Sequence, residues 1–253
     1  MRHAMQSETL RNVLATDYVE VANEPLHKEV YANRYFRAYL ATLSQGQSTA
    51  YHRHSEDTLY LVIKGGRIST TNYKGRPRSP MVFPHSFPLH KKLWLALQNV
   101  FAGSVYLPAG LSFFMPTREH PSIHKAAASP HNRDEVRLMG IEMRYSFANC
   151  PPFVNNTLSL QTEYNHRSFM VLVCTLAPAA SGRIVMPGYH LFMVCIKGLL
   201  EIMPEDVLQG KGKLRRLAVG DYLCISGDSP ALASSPSNTT SELIISAIPV
   251  DVQ

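Results

Sequence analysis

The second half of this chain repeats the first. Residues 36–68, FRAYLATLSQGQSTAYHRHSEDTLYLVIKGGRI, align with residues 169–202, FMVLVCTLAPAASGRIVMPGYHLFMVCIKGLLEI, without a gap once Ile63-Lys64-Gly65 is set on Ile196-Lys197-Gly198. Both copies alternate in apolar character with a period of two and are bounded by Gly, Pro, Asn and Ser, which reads as strands joined by turns. Further strand-like runs occur at 103–110, 135–145, 220–227 and 241–249. A long-period repeat of strand segments predicts two related β-barrels in one all-β chain. The boundary is expected near CPPFVNNT, residues 150–157, where two prolines interrupt the pattern. That divides the chain into a barrel over 17–149 and a second over 150–253. Residues 1–16 form an N-terminal extension, with a short helix expected there because Ser7 precedes Glu8 and Leu10, Val13 and Leu14 share one face.

Composition narrows the partners. A chain of 253 residues can bury a sizeable core in either arrangement, and 17 prolines with 14 glycines favour many short strands over long helices. The net charge of +6 permits attraction to anionic groups, but no nucleic-acid-binding motif accompanies it, so nucleic acid is not an expected partner. The N-terminus lacks an apolar segment of signal-peptide length and no run of about 18 apolar residues occurs, so no membrane partner and a cytoplasmic address are expected. Cys150, Cys174, Cys195 and Cys224 show no C-x-x-C spacing, and three of them lie in apolar strand-like runs, as buried reduced thiols would.

Within the first copy, His52 and His54 stand one residue apart. On a strand both imidazoles point to one face, which in a small barrel is the lumen. The pair reads either as half of a metal site or as hydrogen-bonded histidines in an empty barrel. Thr58, Tyr60 and Val62 share a face of the next strand by the same alternation. Thr58 and Tyr60 are therefore the candidate catalytic residues beside the site, with Tyr60 serving as hydrogen-bond donor or acid, or else as an ordinary core aromatic. Residues 74–102 form a connection longer than a hairpin needs. No Asp or Glu occurs from 58 through 118 while eight Lys or Arg do, so this insertion reads as a solvated basic face or a basic lid over an anionic ligand. Trp94, the sole tryptophan, is expected to anchor it to the barrel.

The stretch from Gly46 to Gly65 resembles the first motif of the cupin superfamily, G-x5-H-x-H-x(3,4)-E-x6-G, with His52 and His54 in place and Thr58 where the pattern has glutamate. The second motif, G-x5-P-x-G-x2-H-x3-N, is partly present: Pro108 and Gly110 match, but Phe113 occupies the histidine position. Residues 111–122 therefore read as an insertion, and the histidine role passes to His124, with His120 as its rival. In the second copy Val185 and Pro187 stand where His52 and His54 do, so the C-terminal barrel is expected to be degenerate. The resemblance implies a two-barrel RmlC-like (jelly-roll) cupin with a metal site of His52, His54 and His124 in the first barrel. Such a donor set suits Fe(II), Zn(II), Mn(II), Ni(II) or Cu(II). Glu56 or Asp57 could instead complete a two-His-one-carboxylate site, although both precede the strand position that faces the metal.

Function follows from these alternatives. The first expectation is a metal-dependent enzyme, an oxygenase of the non-haem-iron kind acting on a small molecule. Its rivals are a metal-free small-molecule binding module and an isomerase or epimerase of a sugar-like or phosphorylated substrate using a histidine and Tyr60 as base and acid. A homodimer formed through exposed strand edges is a further expectation.

Overall fold

The computed structural model describes residues 17–75, 79–84, 87–144, 158, 160–166, 169–204, 213–226, 228, 230–236, 238 and 240–249. The helix expected within 1–16 and the boundary at 150–157 lie outside the described residues. The chain is mostly strand. The first half holds β1 (Val19–Glu20), β2 (His27–Ala32), β3 (Phe36–Leu43), β4 (His52–His54), β5 (Thr58–Lys64), β6 (Gly66–Asn72), β7 (Val105–Leu107), β8 (Ser112–Met115), β9 (Ser122–Ala128) and β10 (Val136–Met143). The second holds β11 (Leu160–His166), β12 (Phe169–Leu176), β13 (Ser181–Ile184), β14 (Tyr189–Lys197), β15 (Leu199–Pro204), β16 (Arg215–Ala218), β17 (Tyr222–Ser226), β18 (Ala231–Ser234) and β19 (Ser241–Pro249).

These strands form two pairs of facing sheets with matching topology. The order β2-β3-β10-β5-β8 in the first half recurs as β11-β12-β19-β14-β17, and β4-β9-β6-β7 recurs as β13-β18-β15-β16, with β1 added in parallel to β4. The sequence repeat is thus a repeat of sandwich-like barrels. β5 shows why its sequence is apolar throughout. Leu59, Leu61 and Ile63 point to one side and Tyr60 and Val62 to the other, and all are buried, because each face of the sheet has its own core. Tyr60 and Val62 join Tyr39, Leu107, Phe113 and Leu138 inside the first barrel. Leu59, Leu61 and Ile63 pack with Phe36, Phe114, Ile141, Phe169, Phe192 and Ile244 in a core drawn from both halves. A third cluster, including Leu172, Leu191, Leu200 and Ile245, fills the second barrel.

Two expectations from the sequence need correction. Residues 111–122, read from the motif spacing as an insertion, contain a strand of the barrel: β8 pairs with β5 in the register Thr58↔Met115, and the chain then turns through 116–121 to enter the opposite sheet as β9. The segment is longer than the motif allows because it contributes a strand to one sheet before crossing to the other. Within 74–102 the chain forms helix α1 (Leu89–Ala102), which ends at Gly103 in a left-handed conformation. Trp94 does not anchor it. Its side chain is 62% exposed, whereas Leu95 is 7% exposed and makes the inward contact. Consecutive residues on a helix point about 100° apart, so only one of the pair can face the barrel.

Candidate metal centre

β4 and β9 lie side by side in the register His52↔His124, and His54 follows two residues on along β4. Alternation along β4 sends both of its histidines into the barrel while Arg53 turns outward to pair with Glu20 at 2.7 Å. The three imidazoles meet there: ring centroids are 4.8 Å apart for His52 and His54, 4.8 Å for His52 and His124, and 5.0 Å for His54 and His124. One ring nitrogen from each lies within 4.8 Å of the others. All three residues are buried, at 1%, 0% and 7% exposure.

The chemistry of this set suits a cation. Nδ1 of His52 is 2.9 Å from the Ala50 carbonyl, an acceptor only, so the proton sits on Nδ1 and Nε2 keeps its lone pair. Nδ1 of His124 is engaged by Ser122 Oγ at 3.1 Å. Burial pushes the His52 imidazole down to about 4, and the neighbouring His27 adds to that shift. The His52 ring is therefore held uncharged near neutral pH, the form in which imidazole binds a metal.

Around the histidines stand residues that motif reasoning did not find, of which His27 lines the cavity and Glu24 and Glu142 lie behind its wall. His27 on β2 lies 4.7 Å from the ring of His52, and its Nδ1 is 2.6 Å from Glu24 Oε2. Glu24 also accepts from Leu26 N at 2.7 Å and Ala50 N at 3.1 Å. Burial works to raise its carboxyl, but these bonds outweigh it and hold the group below the usual carboxylate range. The available signal was a Glu and a His three apart at the start of a short strand, which no motif marks. Glu142 on β10 is the other. Its Oε2 accepts from Arg37 Nε at 2.9 Å, and Oε1 lies 3.8 Å from His54 Nδ1. Burial raises its carboxyl, against the pull of Arg37.

The candidates from the sequence divide. Tyr60 lines the cavity, with its hydroxyl 3.4 Å from His54 Nδ1 and 3.1 Å from the Tyr39 hydroxyl. Burial raises Tyr39 well above the usual phenol range, so it stays a donor to Tyr60. Gly140 makes that contact possible, since a Cβ there would sit 2.3 Å from Tyr39 Cζ. Thr58 is buried but is not among the cavity-lining residues. Its hydroxyl donates to the Glu56 carbonyl at 2.8 Å, because the turn just before β5 presents that oxygen to it. The rival ligands are elsewhere. Glu56 pairs with Arg118 at 2.5 Å, Asp57 accepts from Arg118 N at 3.0 Å, and His120 is exposed. The cavity itself is narrow and encloses about 720 Å³ of empty space, its open mouth included. Its polar end is the histidine cluster, and Leu43, Leu107, Phe113, Met115 and Leu138 form apolar walls.

Solved structures place this architecture. The chain superposes on the Cupin 2 conserved barrel domain protein from Leptotrichia buccalis with a TM-score of 0.51 and 11% identity over 94% of this chain and 93% of that one. The chain has the cupin fold. Protein Ylba from E. coli gives a TM-score of 0.54 and 12% identity over 91% of this chain and 86% of that one. YhaK from Escherichia coli gives 0.50 and 12% over 91% and 95%. Because each alignment covers nearly the whole chain, the likeness in fold extends across both of its halves. No protein-family model matches the sequence, and no curated protein matches it. Among the described residues no helix is long and apolar enough to cross a membrane.

Proposed function

We propose that this cupin holds one divalent transition metal (Fe, Zn, Mn, Ni or Cu) on His52, His54 and His124 and uses it as an oxygenase acting on a small molecule. The observation that carries the reading is the convergence of three buried imidazoles at the polar end of an apolar cavity. A metal held there supplies Lewis-acid or redox chemistry at its open coordination positions. The chain's own residues do the rest. Phe113, Leu107, Met115 and Leu138 exclude water and receive an apolar substrate body. Tyr60, fed by the Tyr39 hydroxyl, presents a hydrogen bond to a polar atom of the substrate. Small-molecule substrate, metal and the absence of any nucleic-acid partner form one coherent reading.

The test is metal analysis of untagged protein after reconstitution with Fe(II), Zn(II) and Mn(II), beside His52→Ala and His124→Ala. About one equivalent in the wild type, lost in both variants, supports it; oxygen uptake with small organic acids and thiols then screens substrates. A wild type that stays metal-free removes the oxygenase reading. One specific observation favours a second reading. The Glu24–His27 pair beside the cavity forms a carboxylate-backed base facing the same space as Tyr60, as isomerisation by proton transfer requires. Turnover of a sugar-like or phosphorylated substrate that persists in excess chelator would select it.

A further inference from the structure

Thr58 stands where the cupin pattern has a glutamate, but a carboxylate is close by. Thr58 pairs across the sheet with Glu142 on β10, and directly opposed residues of neighbouring strands point to the same face. Glu142 therefore projects into the first barrel from the strand beside the vacant position. Its two oxygens are used unequally. Oε2 is taken by Arg37, while Oε1 is a buried oxygen without a hydrogen-bond partner, one of three such side-chain atoms among the described residues. An unsatisfied buried carboxylate oxygen is costly, and structures keep one where it has a task. The atom facing it is His54 Nδ1, at 3.8 Å.

The other two histidines show what that task is. His52 Nδ1 is held by the Ala50 carbonyl and His124 Nδ1 by Ser122 Oγ, so each ring has an oxygen behind the nitrogen that does not serve the centre. Behind His54 Nδ1 stand two oxygens, the Tyr60 hydroxyl at 3.4 Å and Glu142 Oε1 at 3.8 Å, and of the two only the carboxylate oxygen is an acceptor with no other partner. We infer that Glu142 is a positioning residue: its Oε1 accepts the Nδ1 proton of His54, fixing the tautomer that leaves Nε2 with its lone pair for the centre. The gap of 3.8 Å exceeds a hydrogen bond by somewhat less than ~1 Å, a distance that a small rotation of either side chain closes. In this account the acidic function of the first motif has not been lost from the barrel. It has moved one strand over, from a place where it would touch the metal to one where it orients a ligand, with Arg37 holding it in place.

This inference deepens the three-histidine reading, and its metal arm rests on that reading. Its first test does not. ¹⁵N NMR of the metal-free protein reports which ring nitrogen of His54 carries the proton. Wild type should show Nδ1–H, and Glu142→Gln should shift the population toward Nε2–H. Because Gln weakens the pair with Arg37, Glu142→Asp is the second variant. It keeps the charge but withdraws the oxygen by one methylene, and it should shift the tautomer in the same direction while remaining folded. The second arm measures Zn(II) affinity by chelator competition, where loss of an orienting carboxylate behind a ligand histidine costs about 10–100-fold. If wild type binds no Zn(II), the proposed function fails while the tautomer measurement still decides the role of Glu142. If wild type binds Zn(II) and the variants match it in both affinity and tautomer, Glu142 serves only the ion pair with Arg37 and the inference is overturned. A tautomer shift in Tyr60→Phe with none in either Glu142 variant would overturn it too, assigning the role to the tyrosine.

Discussion

His52 should make the metal-free protein acid-sensitive in a defined window. In the folded chain its imidazole is pushed down to about 4, first by burial and then by His27. In the unfolded chain it titrates near ~6.5. Between these values the unfolded state binds the extra proton, so the stability His52 permits is fully present above about pH 6.5. It declines as pH falls and levels off below about pH 4, where both states are protonated. A shift of that size corresponds to roughly 3 kcal/mol, at ~1.4 kcal/mol per unit. His52→Gln removes the titration but keeps a side chain able to hydrogen-bond Ala50. Urea unfolding followed by circular dichroism, with chelator present, should show the wild type losing roughly 3 kcal/mol more than the variant between pH 7 and pH 4. Glu24, held below the usual carboxylate range, and Glu142, raised above it by burial, contribute their own pH dependence, but they are present in both proteins and their terms largely cancel in the difference. Parallel pH curves for the two proteins would refute the reasoning, because they would mean that His52 is solvated or already charged in the native state.

Four other outcomes are expected. Phe192→Ala, which empties a site packed against Phe36 at 6.2 Å in the core shared by both halves, should cost about 3–5 kcal/mol while leaving one unfolding transition by calorimetry; two separated transitions would mean that the halves fold independently. Gly140→Ala must displace the Tyr39 ring, and a loss of about 1–3 kcal/mol in unfolding free energy, read from urea unfolding, should accompany it. Burial raises the thiols of Cys174, Cys195 and Cys224 to about 11, so of the four cysteines at most one should react rapidly with a disulfide reagent at pH 8 before denaturant is added. Zn(II) supplied at a hundred times its dissociation constant should stabilise the wild type by about 2.7 kcal/mol and leave His124→Ala unmoved, as read by thermal unfolding.

The repeat was the part of the fold that could be read from sequence, and the reason is geometric. β3 and β12 each run eight residues at the same offset as the Ile-Lys-Gly anchors, because strands that pair in the same sheet order need the same lengths and spacings. His52 and His54 were equally legible, since a strand's period of two fixes their shared direction whatever surrounds them. His124 required more: its place depends on β8 being threaded into one sheet before β9 enters the other, and the motif spacing treats that strand as surplus. Thr58 failed as a cavity residue for a related reason. Its backbone alternation is as expected, but the Glu56 carbonyl captures its hydroxyl, a local bond that period counting does not see. Trp94 failed because the side of a helix that meets a barrel is set by docking, not by which residue is largest.

The residues that no motif announced are the charged ones around the histidines. Glu24, His27, Arg37 and Glu142 come from β2, β3, β10 and the turn before β2, and in sequence nothing links them to Gly46–Gly65. What links them is the register of the barrel: His27 opposes Ala41, Arg37 opposes Glu142, and Glu142 opposes Thr58, so these three face one interior, and Glu24 joins them through its bond to His27. A motif records the donors that must be at fixed spacing along one strand. The groups that tune those donors need only share the lumen, and any strand of the barrel can supply them. A glutamate missing from its expected position is therefore weak evidence that the site has lost its acid. The stronger criterion is whether a buried carboxylate with an unsatisfied oxygen faces the histidines from a neighbouring strand, and Glu142 meets it.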